Sequence, residues 1–166
     1  MSRLLIITGT PGVGKSTLAR FLSKKLMWPR LDLHHYYRQV SVAYNSKRRC
    51  YEVDLKKFEK LVKEKLEVSP EGLILDTHIS HLIPQKMITL GIVLTCSNLK
   101  LLQRRLKRRK YSPAKIRENL DAEIFQVCLL DAQERKLPLL VFDVGKKFSK
   151  EKIWRALQQK LKPKSL

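Results

Sequence analysis

The sequence predicts a single α/β domain built on a parallel sheet with helices on both faces, and three observations carry that prediction. Short apolar runs alternate with stretches of helical periodicity along the whole chain. Several of the runs, Leu4-Leu5-Ile6-Ile7, Leu73-Ile74-Leu75 and Gly91-Ile92-Val93-Leu94-Thr95, are apolar at consecutive positions, the pattern of strands buried on both faces. The first of them leads directly into Gly9-Thr10-Pro11-Gly12-Val13-Gly14-Lys15-Ser16-Thr17, a G-x-x-x-x-G-K-[ST] phosphate loop set between a strand and a helix. At 166 residues and 43% apolar content, the chain suits one such domain and is short for two.

Each element follows from local signals. Residues 3–8 read as the first strand. Residues 16–27 read as a helix, with Leu18, Phe21, Leu22 and Leu26 near one face. A short strand near 30–33 follows the break at Pro29. A helix over 54–67 takes Asp54 as N-cap and sets Leu55, Phe58, Leu61, Val62 and Leu66 along one face. Ser69-Pro70-Glu71-Gly72 is a turn. Strands at 73–76 and 91–95 and a helix at 98–109 come next. Ser112-Pro113 supplies an N-cap and N1 proline for one long helix to about Arg135. A strand at 137–144, a helix at 149–161 and a frayed tail at 162–166 complete the chain. There are no repeats and no low-complexity linker.

The glycine loop has a chemical purpose. Glycines let the backbone curl until successive N–H groups point at phosphate oxygens, and the following helix adds its positive end. Lys15 would meet the phosphates as a point charge, and Ser16 would offer a hydroxyl to Mg²⁺. Ligands of parallel α/β sheets sit at the carboxyl ends of strands. Asp76, closing the strand Leu73-Ile74-Leu75, is therefore placed to join the loop as a carboxylate that meets Mg²⁺ directly or through water. His78, two residues on, either positions an attacking water or substrate or is an ordinary loop histidine.

Charge is the second informative quantity. Thirty-five Lys and Arg against fifteen Asp and Glu give +20, an excess that attracts nucleic acid and that a small metabolic enzyme does not need. Basic patches lie at Lys47–Arg49, Lys100–Arg117 and Lys146–Lys164. The middle one carries nine Lys or Arg and no acid. Within it, Arg105 and Arg109 stand one helical turn apart before the Tyr111-Ser112-Pro113 break, as arginines that close over a transferring phosphoryl group would. Arg108, on another face, is expected to matter less. Lys146 or Lys147, after the last strand, are positional candidates near the nucleotide base. The three cysteines, Cys50, Cys96 and Cys128, and the four histidines show no disulfide or zinc spacing. No apolar run spans a membrane, and a cleaved leader would remove the first strand, so an intracellular location is expected.

These motifs together carry a resemblance. Gly9–Thr17, then Asp76-x-His78 with Pro84 behind it, then Arg105-Leu106-x-x-Arg109-x-Tyr111, then Lys115-Ile116-x-x-Asn119-x-x-x-Glu123-Ile124-Phe125, resemble the ribosome-assembly adenylate kinase and ATPase family of the coilin-interacting nuclear ATPase type, which has archaeal relatives. The resemblance covers nearly the whole chain. It implies an adenylate kinase-like P-loop NTPase fold with five parallel strands, a monophosphate-binding insert at about 33–68 and a short lid at about 107–117. It also implies adenylate kinase and ATPase activities, with ATP and AMP as substrates and Mg²⁺ as cofactor. A role in small-subunit maturation goes with it, with a platform ribosomal protein and ribosomal RNA as partners, and a cytoplasmic location that extends to the nucleus in a eukaryote.

Carried over by residue, Gly12, Val13, Gly14, Lys15, Ser16, Thr17, Arg109 and Lys147 would bind ATP. Lys15, Asp76, His78, Arg105 and Arg109 would be catalytic, and Ser16 and Asp76 would hold Mg²⁺. Three departures stand out. Lys110 replaces a usual glycine. Asn45–Cys50 is basic where relatives are acidic. His78-Ile79-Ser80-His81 is polar where eukaryotic members carry G-C-D-F-F.

Overall fold

A computed structural model describes residues 2–47 and 50–161. The candidate arginines Arg48 and Arg49, and the tail with its lysines, lie outside the described residues. Five parallel strands form the main sheet: β1 (Arg3–Thr8), β2 (Arg30–Asp32), β5 (Gly72–Asp76), β6 (Leu90–Thr95) and β7 (Leu139–Asp143), in the order β2-β5-β1-β6-β7. The helices are α1 (Lys15–Leu26), α2 (Tyr37–Val40), α3 (Leu55–Glu67), α4 (Leu99–Arg108), α5 (Pro113–Ile124), α6 (Val127–Glu134) and α7 (Lys150–Leu161). None of the described helices is long and apolar enough to cross a membrane.

The consecutive apolar residues of the strands serve two cores. Leu5, Ile7, Ile74, Ile92 and Leu94 pack with Leu18 and Leu22 of α1, Leu102 and Leu106 of α4, and Ile153 and Leu157 of α7. Leu4, Ile6, Leu73, Leu75 and Val93 face the other way, onto Phe58, Leu61 and Val62 of α3. A sheet covered on both sides needs this double set, because successive side chains of a strand point to opposite faces. Caps end the helices where the sequence places them. The Asp54 carboxylate accepts from the N–H groups of Lys56 and Lys57 at 2.8 and 3.2 Å, and the Ser112 hydroxyl accepts from Lys115 N–H at 3.2 Å. Leu55, expected on the buried face of α3, is exposed instead.

One helix needs correcting. The single helix from Ser112 to about Arg135 is two helices, with Gln126 at φ 50° between them. Ile116 and Leu120 of α5 belong to the first core, whereas Leu129 and Ala132 of α6 belong to the second. A straight rod cannot serve both faces of the sheet, so the chain turns as it passes from one to the other. Between α2 and α3, where the sequence predicts no element, stands an antiparallel hairpin, β3 (Ser41–Asn45) with β4 (Cys50–Val53). Its Val42, Tyr44 and Tyr51 are exposed.

Candidate active site

The site forms where β1 and β5 end. Gly9 follows β1 at φ 144°, and a Cβ there would lie 2.4 Å from the Leu94 carbonyl oxygen, so no other residue suits this turn. Gly14, at φ 102°, caps α1 without a side chain and leaves the first amides of that helix pointing outward. The Lys15 ammonium donates to the carbonyl oxygens of Gly9 and Thr10 at 2.7 and 3.1 Å. These bonds lay the lysine back across its own loop, beside the phosphate cradle. Burial, with the nearby Arg109 guanidinium adding to it, lowers the Lys15 pKa to about 8.

Asp76 is buried at the end of β5, where burial pushes its carboxyl up while the Ser16 hydroxyl and Arg30 pull it down; the net direction is upward. Arg30 donates to Asp76 at 2.8 Å and to Asp32 at 2.9 Å. Asp32 and Asp76 are direct neighbours on β2 and β5, so the arginine bridges two carboxylates that would otherwise repel. Neither Arg30 nor Asp32 belongs to a recognised motif. Their signal is the spacing Arg30-x-Asp32 on a strand whose partner also ends in aspartate. The donor set suits Mg²⁺. The Ser16 hydroxyl donates a hydrogen bond to Asp76, which sets two oxygen donors side by side, and Mg²⁺ takes hard oxygen ligands while keeping several waters. Among the described residues no cluster of three His, Cys, Asp or Glu holds a metal unaided.

Two cavities meet at the loop. One, of about 600 Å³, is lined by Gly12, Val13, Gly14, Thr17, Arg105, Arg108, Arg109 and Phe148 among others. The second, of about 820 Å³, is lined by Gly12, Gly14, Lys15, Ser16, Asp76, His78, Arg109 and the tyrosines Tyr37, Tyr44 and Tyr51 among others. Both volumes lie within the range of ligand sites. Arg109 lines both cavities, at the end of α4. Of the expected residues, Lys15, Ser16, Asp76, His78, Arg105 and Arg109 come together, with differences of role, and Lys147 does not join them. Arg105 donates to the carbonyl oxygens of Gly12 and Val13 at 3.2 and 3.5 Å, so it braces the loop as well as lining the first cavity. Arg108 faces that same cavity, contrary to the expectation that it lies on an indifferent face. Lys146 and Lys147 are exposed in the turn after β7 and line neither cavity. Phe148 and Lys150 do so in their place.

His78 stands open to the second cavity. Its surroundings and the Lys15 charge hold the imidazole below its ordinary pKa, so the ring is neutral at pH 7. Three tyrosines form the far wall: Tyr37 stacks on Tyr51 at 5.0 Å between centroids, and Tyr44 meets Tyr51 edge-on at 5.0 Å. Sequence reasoning passed over them because they lie on three separate elements.

Comparison with known proteins agrees with this geometry. Residues 5–126 match the AAA domain family. A Methanocaldococcus jannaschii protein named "Putative adenylate kinase" is 37% identical over 132 residues, covering 78% of this chain and 71% of the relative. The Saccharomyces cerevisiae protein named adenylate kinase isoenzyme 6 homolog FAP7 is 35% identical over 148 residues, covering 84% of this chain and 71% of its own. The chain belongs to the adenylate kinase isoenzyme 6 family. A solved structure of deoxyadenosine kinase from M. mycoides superposes with a TM-score of 0.58 at 18% identity, over 95% of this chain and 98% of that one. This likeness speaks for the P-loop kinase fold.

Proposed function

We propose that this chain transfers the γ-phosphoryl group of ATP to a nucleoside monophosphate, with AMP as the acceptor and ADP as both products. The observation that carries the reading is the meeting of two ligand-sized cavities at one phosphate loop, with Arg109 in the wall of each. ATP occupies the cavity between Phe148 and the arginines, and the acceptor occupies the one walled by tyrosines. The names of the relatives, adenylate kinase and adenylate kinase isoenzyme 6 homolog, support the same reaction.

Each residue then has a task. The loop amides and Lys15 bind the β- and γ-phosphates, and Arg105 keeps the loop in the curled form that presents those amides. Arg109 faces the oxygens on which charge spreads as the phosphoryl group moves between the cavities, where a preorganised cation is worth most. Ser16 and Asp76 would hold Mg²⁺, which when bound neutralises phosphate charge. With no acceptor bound the incoming nucleophile is water, and neutral His78 accepts a hydrogen bond from it, so ATP hydrolysis is the second activity proposed, and His78 is the residue assigned to it.

We further infer a role in small-subunit maturation, with ribosomal RNA and a platform ribosomal protein as partners. The +20 charge and the basic run along α4 support it. A coupled assay over AMP, CMP, GMP and UMP, with and without ribosomal RNA, tests both parts. AMP-dependent ADP formation that changes with RNA supports the reading. Turnover indifferent to RNA, from a protein that binds RNA with no salt dependence, would return it to a purely metabolic kinase.

A further inference from the structure

Thr8, the last residue of β1, has one hydroxyl proton and two acceptors within reach of it. Its Oγ1 donates to the His78 carbonyl oxygen at 3.1 Å and lies 2.9 Å from Nδ1 of His81. The other ring nitrogen of His81, Nε2, faces Oδ2 of Asp131 on α6 at 3.5 Å. Thr8 is fully buried and His81 is 4% exposed, so water does not make good a misplaced proton.

Counting protons then decides the geometry. While Thr8 donates to the His78 carbonyl, its oxygen must accept from an Nδ1–H of His81. A neutral ring in that tautomer turns a bare Nε2 lone pair on the Asp131 carboxylate, and a second ring proton removes the conflict. A neutral ring protonated at Nε2 satisfies Asp131 instead, but the Thr8 hydroxyl must then turn to Nδ1 and release the His78 carbonyl. The thiol of Cys128 on α6, 3.8 Å from that oxygen and also in hydrogen-bond reach of the Thr8 hydroxyl, is a weak partner to either.

We propose that His81 is a positioning residue: through Thr8 it sets whether the turn carrying His78 is fastened to the strand that leads into the phosphate loop, and Asp131 biases which arrangement His81 adopts. The consequence for turnover rests on the reading of His78 given above; the proton arrangement does not. The groups facing the ring are few. Asp131 and Arg135 come from α6 and His78 from the same turn, while β1 offers only the uncharged Thr8. Burial lowers the affinity of His81 for a proton more than Asp131 raises it. The neutral, releasing arrangement therefore holds at neutral pH, and the fastened one grows in toward acid.

Two variants separate the nitrogens. His81→Asn sets an amide nitrogen where Nδ1 stands and keeps the donation to Thr8 at every pH. His81→Gln reaches the Nε2 position and keeps only the contact with Asp131. The ratio of H81N to native ATPase turnover should be about fivefold at pH 8, the rate equivalent of one hydrogen bond, and should fall toward one as the pH is lowered and the native ring takes up its second proton. H81Q should show no such convergence. A pH-independent H81N ratio would overturn the proposal. Nitrogen NMR supplies a readout free of activity. The Ile79 amide shares its peptide group with the His78 carbonyl, so its shift should follow the His81 ring titration in the native chain and lose that response in Thr8→Val, whose melting midpoint checks folding. An Ile79 signal that ignores His81 in the native chain also overturns it. Absence of any ATP turnover in the native protein would instead sink the kinase reading and leave the NMR test to decide this one.

Discussion

Lys110 gives a test in which structure, stability and sequence comparison meet. It follows α4 at φ 56°, in the left-handed region, with its N–H donating to the Lys107 carbonyl at 2.9 Å. That is the position where helices favour glycine, and the family resemblance places a glycine there. A side chain in this conformation costs about 1–2 kcal/mol, and glycine returns roughly half of that through greater freedom in the unfolded chain. Lys110 is exposed, so little packing is lost with it. Lys110→Gly should therefore stabilise the domain by about 0.5–1 kcal/mol and raise the melting midpoint by about 1–4 °C for a chain of this size. Lys110→Ala removes the same charge but keeps the Cβ, so its midpoint should stay within about 1 °C of native. Thermal unfolding followed by circular dichroism in moderate salt reads both. Equal gains from Gly and Ala would show that charge relief in the basic cluster, and not backbone conformation, is responsible.

Three further outcomes follow from the site and its surroundings. Arg109→Ala should lower kcat by about 10²–10³-fold with a smaller change in KM for ATP, because the side chain meets charge that develops during transfer; steady-state kinetics that show only a KM effect would make it a binding residue. Phe148→Ala should raise KM for ATP at nearly unchanged kcat, and Lys147→Ala should leave both alone, since Phe148 lines the first cavity and Lys147 does not. Asp143 accepts from the N–H groups of Ser97 and Gly145 at 2.9 and 2.8 Å. Burial pushes this carboxyl up, but the bonds from Ser97 and Gly145 outweigh it and hold its pKa below the usual value. The folded value being depressed, its stabilisation is present above about pH 4 and is lost as pH falls through the folded pKa. Asp143→Asn should therefore cost about 0.5–1 kcal/mol at pH 7 in denaturant titrations, since solvent screens the partly exposed carboxylate, and the gap should close in acid.

The sheet was legible because its strands are apolar on both faces and the glycine loop marks where the first one ends. Helix starts were legible through Asp54 and Ser112, whose side chains act locally. What escaped depends on contacts between distant parts of the chain. The turn at Gln126 exists because Ile116 and Ala132 serve opposite faces of the sheet, and nothing near residue 126 records that. Arg108 could not be assigned from helical spacing alone, because the fold of the α7 approach decides which face meets Phe148. The tyrosine wall is likewise assembled from α2, β3 and β4. Lys15, Ser16, Asp76, His78 and Arg109 were legible because each lies in a motif whose chemistry is tied to its spacing.

The central claim is transfer of a phosphoryl group between two nucleotides across the loop. Phosphorus NMR of ATP incubated with the protein, Mg²⁺ and equimolar AMP measures it directly. The account predicts two ADP formed for each ATP consumed, with AMP falling in step and inorganic phosphate appearing only slowly. One ADP and one inorganic phosphate for each ATP, with AMP untouched, would contradict it.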